Sequence, residues 1–451
     1  MLTSGRLRYC CLIGAMALAT PVVAQPPAAP VYGLAELVAL AMQHHGDVAQ
    51  GIWKVRGAEA VQRQARAARI VPRLRLNSEN GWVPDARGTV LDAPHDSAGY
   101  LARLGPFTRN TLEFAQPLYT FGQLGSLNRA ADGGLAAERA ALEQTRAEVR
   151  LEVKRLYYGL LLAQDMSQLV ARLATRLSTE QERLADRETL SLANGYKLKL
   201  ALIDLATRQR EADDKVALAR GALAWRAGLD TTALAAVADT GLAPVATPLP
   251  ALDELQRWAA GNRPEWRRLA AGLAARQAQY EAARSARLPQ LFLAGGLRYA
   301  RAPGRTDQHN PFVKDEFNYD SAGLYVGLKQ SFEWGLLGAE VDKARAAYEE
   351  LRARQVDGEH ALRLDVQRAW TEYQRADRDR QSADEARHLA RQWLQEAQNE
   401  YDLDPDTLKD LITAFETWAK LEQAWREAVY RQNVRWAELE RCTGGMPEER
   451  Q

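Results

Sequence analysis

Cysteine is almost missing from this chain: of three in 451 residues, Cys10 and Cys11 lie near the start and only Cys442 lies beyond. A lone cysteine makes no internal disulfide, so stability must come from packing and association. Proline is absent from Leu118 to Ala243, which permits a very long unbroken helix. Neither sign of charge dominates, the formal net charge being +1, so there is no basic excess to attract nucleic acid. Past the first 25 residues no apolar run reaches the roughly 18 residues that a membrane-spanning helix needs. Catalytic signatures are missing too: there is no Gly-rich phosphate loop, no Gly-x-Ser-x-Gly elbow and no His-Glu-x-x-His. His44 and His45 are neighbours, and adjacent helical positions point apart, which argues against a metal pair. His95 and His309 fall in expected loops, while His360 and His388 are isolated on charged helix faces. We therefore expect no enzyme, no cofactor and no metal ligand set.

What remains is 46% hydrophobic and 26% charged, the balance of an ordered chain with a sizeable buried surface. Residues 1–24 place Arg6 and Arg8 ahead of an apolar run that ends in Val22-Val23-Ala24. That is the layout of a signal peptide cut after Ala24. The run is too short for a spanning anchor, and neither Cys10 nor Cys11 sits in the context of a lipoprotein signal.

The rest of the sequence says most of it twice. Phe121-Gly122-Gln-Leu-Gly125 matches Trp334-Gly335-Leu-Leu-Gly338 at a shift of 213, which also aligns Val149–Arg155 with Leu362–Arg368. Pro72 stands opposite Pro289 at 217, and Gly228 opposite Gly444 at 216. Punctuation repeated in the same order marks an internal duplication rather than two similar helices. The first repeat is placed at 25–235, with strands at 72–82 and 108–119 and a helical hairpin at 123–228. A linker at 236–252 leads to the second repeat at 253–445, with strands at 289–301 and 320–333 and a hairpin at 336–443, before a tail at 446–451.

Alternation assigns the strands. Leu74 and Leu76 alternate with Arg73, Arg75 and Asn77, and Leu324, Val326 and Leu328 alternate with Tyr325, Gly327 and Lys329. Pro72 and Pro289 end the preceding helices and start these strands. Four strands of about 9 to 11 residues suit a membrane β-barrel, yet four cannot close one. Open edges in lipid cost several kcal/mol per unpaired backbone group, so several chains must share one sheet. The alternative is a soluble four-stranded sheet packed on helices.

Helical periodicity assigns the remainder. Leu135, Leu142, Val149, Leu156, Ala163, Val170, Leu177 and Leu184 recur every seven residues, a coiled-coil seam held over many turns. Between strand and helix lie the segments Gln116–Gly125 and Gln330–Gly338. Pro117 closes a strand where a lost donor is tolerable, and Gly122, Gly125, Gly335 and Gly338 are expected to let the backbone swing from sheet to helix.

This doubled plan, with its two junctions and its glycines after the return helices, resembles the TolC-type outer-membrane factor family. The resemblance implies an α + β fold of long antiparallel coiled-coil helices with four membrane strands per chain. Three copies would share a 12-stranded β-barrel continued by a periplasmic α-barrel. The implied function is the exit duct of a tripartite efflux pump or type I secretion system, its partners a periplasmic adaptor and an inner-membrane transporter. Family members close the tunnel at the hairpin tips, where Tyr401 and Asp410 match the family pattern. Thr413 stands where the best-known member has a second aspartate, and Asp406 where it has an arginine that locks the closed state. Counting back from Gly228 places Asn194 opposite Asp410 in the first hairpin. Three Asp410 carboxylates around an axis would attract cations; the plainer reading is that Asp402, Asp404, Asp406 and Asp410 cap helices and solvate a turn. Asp404-Pro405 is expected to restart the helix, as a cap followed by proline at the first position. A soluble periplasmic coiled-coil adaptor or a structural coiled-coil protein is the alternative function, but adaptors carry one helical hairpin where this chain has two, and alternating strands of membrane-crossing length argue against a structural coiled coil.

Overall fold

The computed structural model describes residues 31–446 apart from 88–102, 186–191, 233, 235, 308, 313, 334, 405 and 406. The signal peptide expected at 1–24 and nearly all of the tail lie outside the described residues, as does Asp406.

The short strand β1 (Val31–Tyr32) precedes α1 (Leu34–His44), α2 (Gly46–Ile70), β2 (Arg73–Pro84), β3 (Leu104–Tyr119), α3 (Gln123–Ala185) and α4 (Leu192–Ala227). After β4 (Ala236–Val237) the same series runs again as α5 (Leu252–Asn262), α6 (Pro264–Ser285), β5 (Gln290–Arg301), β6 (Tyr319–Lys329), α7 (Leu336–Leu403) and α8 (Leu408–Thr443). The repetition extends to packing. Leu37 and Ala41 of α1 are fully buried, as are their counterparts Leu255 and Ala259 of α5. Leu223 and Leu439, 216 residues apart, are fully buried near the ends of the return helices. Both return helices stop at a left-handed glycine, Gly228 with φ +71° and Gly444 with φ +76°. There the N–H of Leu229 bonds the carbonyl of Ala224 at 2.9 Å, and that of Gly445 bonds Glu440 at 2.9 Å, which satisfies carbonyls that a helix end otherwise leaves open.

The four long strands form one antiparallel sheet in the order β2-β3-β5-β6. Its centre is the pairing of β3 with β5, from Thr108 opposite Arg301 to Tyr119 opposite Leu291, which joins the two repeats. β3 begins at Leu104, ahead of the expected 108, because a central strand keeps partners along its length: Leu104 still pairs with Pro84. β6 stops at Lys329, short of the expected 333, because Lys329 pairs with Gln290, where β5 begins. The ladder shifts register between Pro117 and Tyr119, since proline brings no donor.

At about 1.5 Å per residue, the 63 residues of α3 and 68 of α7 make rods of roughly 100 Å. Beside the sheet the helices lie in the order α2-α3-α6-α7, and toward the far end in the order α4-α3-α8-α7. The heptad seam holds at first, with Leu135, Leu142 and Val149 buried. It then drifts: Val153, Tyr157 and Leu160 are buried, then Leu169 and Leu173, whereas Leu156, Ala163, Val170 and Leu177 are half-buried. A helix near 3.6 residues per turn falls behind a seven-residue repeat by about 20° per heptad, so along a straight helix the heptad positions rotate steadily off the buried line.

The segment after α4 does more than connect. Ala236–Val237 pair in parallel with Val31–Tyr32, and Leu234, Val237 and Leu242 enter the core around Val153 and Tyr157. The Tyr157 hydroxyl donates to Asp239 at 2.7 Å, Asp165 accepts from Leu242 N–H at 3.0 Å, and Trp370 Nε1 donates to the Pro250 carbonyl at 3.1 Å. This girdle binds both repeats where the short helices give way to the helical hairpins.

Candidate functional site

The register sorts the strand residues into two faces. On one face Leu74 is level with Phe114, Gly295 and Leu324, and Leu76 with Leu112, Leu297 and Ala322. Leu293 beside Val326 and Leu291 beside Leu328 continue the same face toward the helices. These four rows cover about 20 Å along the strands at roughly 3.4 Å per residue, an apolar band of the kind that faces lipid. Leu74, Leu76, Leu324, Val326 and Leu328 are all more than 60% exposed. The other face carries Arg73, Arg75, Asn77 and Glu79 on β2, Arg109, Thr111 and Glu113 on β3, Arg298 on β5, and Ser321 and Lys329 on β6. Arg109 pairs with Glu79 at 3.2 Å, and the Phe292 ring lies over Gly327, where a Cβ would strike it.

Both sheet edges, β2 and β6, pair with no further strand among the described residues. The flanking helices match them: Trp53, Val61 and Ile70 of α2 and Val356, Leu364 and Leu389 of α7 are exposed. One chain thus presents open backbone and apolar side chains along both flanks.

The two junctions use their residues unequally. Gly122 has φ +87° and Gly335 φ +83°, conformations that an L side chain enters only with strain. Phe121 joins the first elbow at φ +48° and stacks edge-on with Tyr119, centroids 4.7 Å apart. Ser126 N–H then bonds the Gly122 carbonyl at 2.8 Å, and Ala339 N–H bonds Gly335 at 2.9 Å, closing the first helical turn in each copy. Gly125 and Gly338 lie inside α3 and α7 without positive φ and with open space at the Cβ position, so the swing expected of all four glycines falls to Gly122 and Gly335. Pro72 and Pro289 immediately precede β2 and β5. Sequence reasoning missed the glutamines that open both junctions: Gln116 donates to the carbonyl of Arg69 at 3.1 Å and Gln330 to that of Arg287 at 3.5 Å. Each fastens the end of the strand that leads into a long helix to the end of the helix before the strands.

At the far end Tyr401 is buried with Leu394, Ala397, Leu411 and Ala414, against Leu177, Phe415 and Trp418. It packs inside the α7–α8 hairpin. Asp410 lies in the first turn of α8 and is exposed, and Thr413, one turn on, is exposed on the same side. Asn194 belongs to the first turn of α4. The helix restart falls later than expected: Thr407, not Asp404, precedes Leu408 as the N-cap residue. Asp404 instead ends α7, its N–H bonded to Glu400 at 2.8 Å and its carbonyl accepting from the Thr407 hydroxyl at 2.7 Å. Those bonds tie Asp404 to the end of α7 and Thr407 back to Asp404. Between the hairpins runs an open groove of about 800 Å³, apolar along Leu169, Leu173, Leu205 and Phe415 and edged by Arg176 and Lys420.

His45 and Arg263, which no local pattern singled out, occupy equivalent places as N-cap residues of α2 and α6. His45 is buried, accepts from Asp47 N–H at 3.2 Å and meets Arg226 at 2.7 Å. Burial alone would lower the Arg263 pKa, but Glu265 at 3.1 Å and Asp365 at 3.0 Å outweigh it and raise it. In the girdle, burial raises the Tyr157 hydroxyl, reinforced by Asp239, and pushes Tyr158 up to about 12. Burial also raises the Asp165 carboxyl, against the opposing pull of Leu242 N–H, Arg426 and Arg172. Among the described residues no group of His, Cys, Asp and Glu could hold a metal ion, and no helix is long and apolar enough to cross a membrane.

A four-stranded sheet with one apolar face, set on two helical hairpins whose longer arms run roughly 100 Å, is the fold of outer-membrane efflux channels. Residues 256–445 match the family described as outer membrane efflux protein. No curated protein matches the chain in sequence. Among solved structures it is similar to the outer membrane protein VceC of Vibrio cholerae, at 19% identity and a TM-score of 0.73 over 91% of this chain and 96% of that one. It is similar to CusC, at 16% identity and a TM-score of 0.74 over 94% and 96%. It also resembles the MtrE outer membrane channel of Neisseria gonorrhoeae, solved in its open state, at 17% identity and a TM-score of 0.73 over 91% and 89%.

Proposed function

We propose that three copies of this chain close a 12-stranded barrel in the outer membrane and continue it as a helical tunnel through the periplasm. The observation that carries this reading is the pair of open edges, β2 and β6, flanking a sheet whose one face is apolar. An unpaired edge in lipid costs several kcal/mol per backbone group, and joining β6 of one copy to β2 of the next removes every edge. The exposed side chains of α2 and α7 would meet at the same seam. A barrel of twelve strands leaves an aqueous bore.

The duct performs no chemistry of its own; an inner-membrane transporter supplies the energy, and a periplasmic adaptor meets the hairpin tips. The order of membrane part and tips along roughly 100 Å of helix supports that placement. The exposed Asp410 carboxylates, three to a ring, form the gate together with Thr413 and Asp406, with Asn194 on the first hairpin, while Tyr401 anchors the hairpin that carries them. A carboxylate ring of this kind repels itself and attracts cations. Two helical hairpins and two strand pairs set the chain apart from an adaptor, which has one hairpin.

The test is single-channel recording of the detergent-purified protein in a planar bilayer, wild type beside Asp410→Ala. A trimer that inserts and conducts, with its opening altered by the substitution, is the expected outcome. A monomer that never enters the bilayer would overturn the duct.

A further inference from the structure

Resting on the reading of a trimeric duct, we infer that the barrel section of the bore has a basic lining that favours solutes bearing carboxylate or phosphate groups. Every charged residue of the four long strands lies on the polar face, except Arg301 and Asp320, which pair with each other at 3.4 Å on the apolar side. The polar face holds five cations, Arg73, Arg75, Arg109, Arg298 and Lys329, against two anions, Glu79 and Glu113. Both anions are answered locally. Glu79 pairs with Arg109 at 3.2 Å, and Glu113 stands directly across from Arg75 in the ladder.

That leaves Arg73 across from Ala115, Arg298 between Thr111 and Ser321, and Lys329 across from Gln290. All three are exposed, and among the described residues none of them makes an ion pair. Threefold repetition turns each into a ring of three charges. Arg298 sits among neutral hydrogen-bonding residues, Asn77, Thr111 and Ser321, on the inner wall. A guanidinium there can take a carboxylate or phosphate through two parallel N–H bonds. Gly296 and Gly323, paired beside it on the same face, add no side chain to narrow the passage. Lys329 and Arg73 lie at the helix-side end of the barrel, where a solute leaving the tunnel would first meet the sheet. The periplasmic tip, roughly 100 Å away, would carry the opposite sign through Asp410, so the two ends of the bore would act on charge in series.

The test is a reversal-potential measurement across a KCl gradient, made in an Asp410→Ala background so that the tip does not set the sign. We expect chloride to permeate in preference to potassium at about 0.01 M salt, where the screening length is roughly 30 Å, and the preference to vanish near 1 M, where it is about 3 Å. Replacing Arg73, Arg298 and Lys329 together by Ser should move the permeability ratio severalfold toward potassium, whereas Arg298→Lys should leave it near the parent value. A conducting trimer that prefers potassium, or whose ratio the triple replacement leaves unmoved, overturns the basic filter and leaves the duct standing. A chain that forms no conducting channel overturns both.

Discussion

Tyr157 and Trp370 stand 213 residues apart in equivalent turns of the two longest helices, and each holds one end of the segment between the repeats. Tyr157 does so through its hydroxyl to Asp239 at 2.7 Å, Trp370 through its indole N–H to the Pro250 carbonyl at 3.1 Å. The duplication has thus kept a position and changed its chemistry, fastening the chain once in each repeat.

Tyr157→Phe leaves the ring in the core but removes the donor to Asp239. A hydrogen bond to a charged group contributes about 1.5–3 kcal/mol, and the loss should fall on the girdle. Hydrogen exchange should quicken at amides 236–242 while the ends of α7 stay protected. Uniform acceleration throughout the chain would show that this bond is not local.

Asp165 carries a carboxyl whose pKa burial raises in the folded chain. The folded state therefore holds its proton to higher pH than the unfolded state, so stability falls as pH rises through the window just above the ordinary value of 3.8 and is greater below it. Asp165→Asn keeps an acceptor for Leu242 N–H and removes that slope. Melting curves from pH 4 to 7 should be flatter for the variant; parallel curves would contradict the assignment.

The junction glycines separate by substitution. Gly335→Ala forces an L side chain to φ +83° and should cost about 1 kcal/mol. Gly338→Ala falls inside α7 with nothing near its Cβ position, and should stabilise by about 0.5–1 kcal/mol. Thermal denaturation in detergent reads both, and equal effects would sink the distinction.

Cys442 is buried, and that burial raises its thiol above the ordinary range although Arg441 and Arg263 pull the other way. Thiolate is the reactive form, so iodoacetamide at pH 8 should leave the folded protein unlabelled and modify it fully in guanidinium. Rapid labelling of the folded chain would mean that the end of α8 opens.

Alternation around Leu74, Leu324 and Val326 was readable because strand faces repeat every two residues, and the left-handed stops at Gly228 and Gly444 were readable because few residues other than glycine accept that conformation. His45 and Arg263 were not, since their partners Arg226 and Asp365 lie more than a hundred residues away in sequence. Asp410 could be placed on a helix by its spacing, but its exposure beside a buried Leu411 came from the packing of α7 on α8.

By itself the sequence determined the doubled plan, the amphipathic strands, the length of the helices and the points where sheet turns into helix, because each follows from local periodicity and backbone preference. The tertiary structure decided that β3 pairs with β5 to fuse two hairpins into one sheet, that the buried seam of α3 drifts from Val149 to Leu169, and that the linking segment becomes a girdle. Those outcomes depend on which surfaces meet across hundreds of residues, and the match of two surfaces belongs to the assembled geometry rather than to any one stretch of chain.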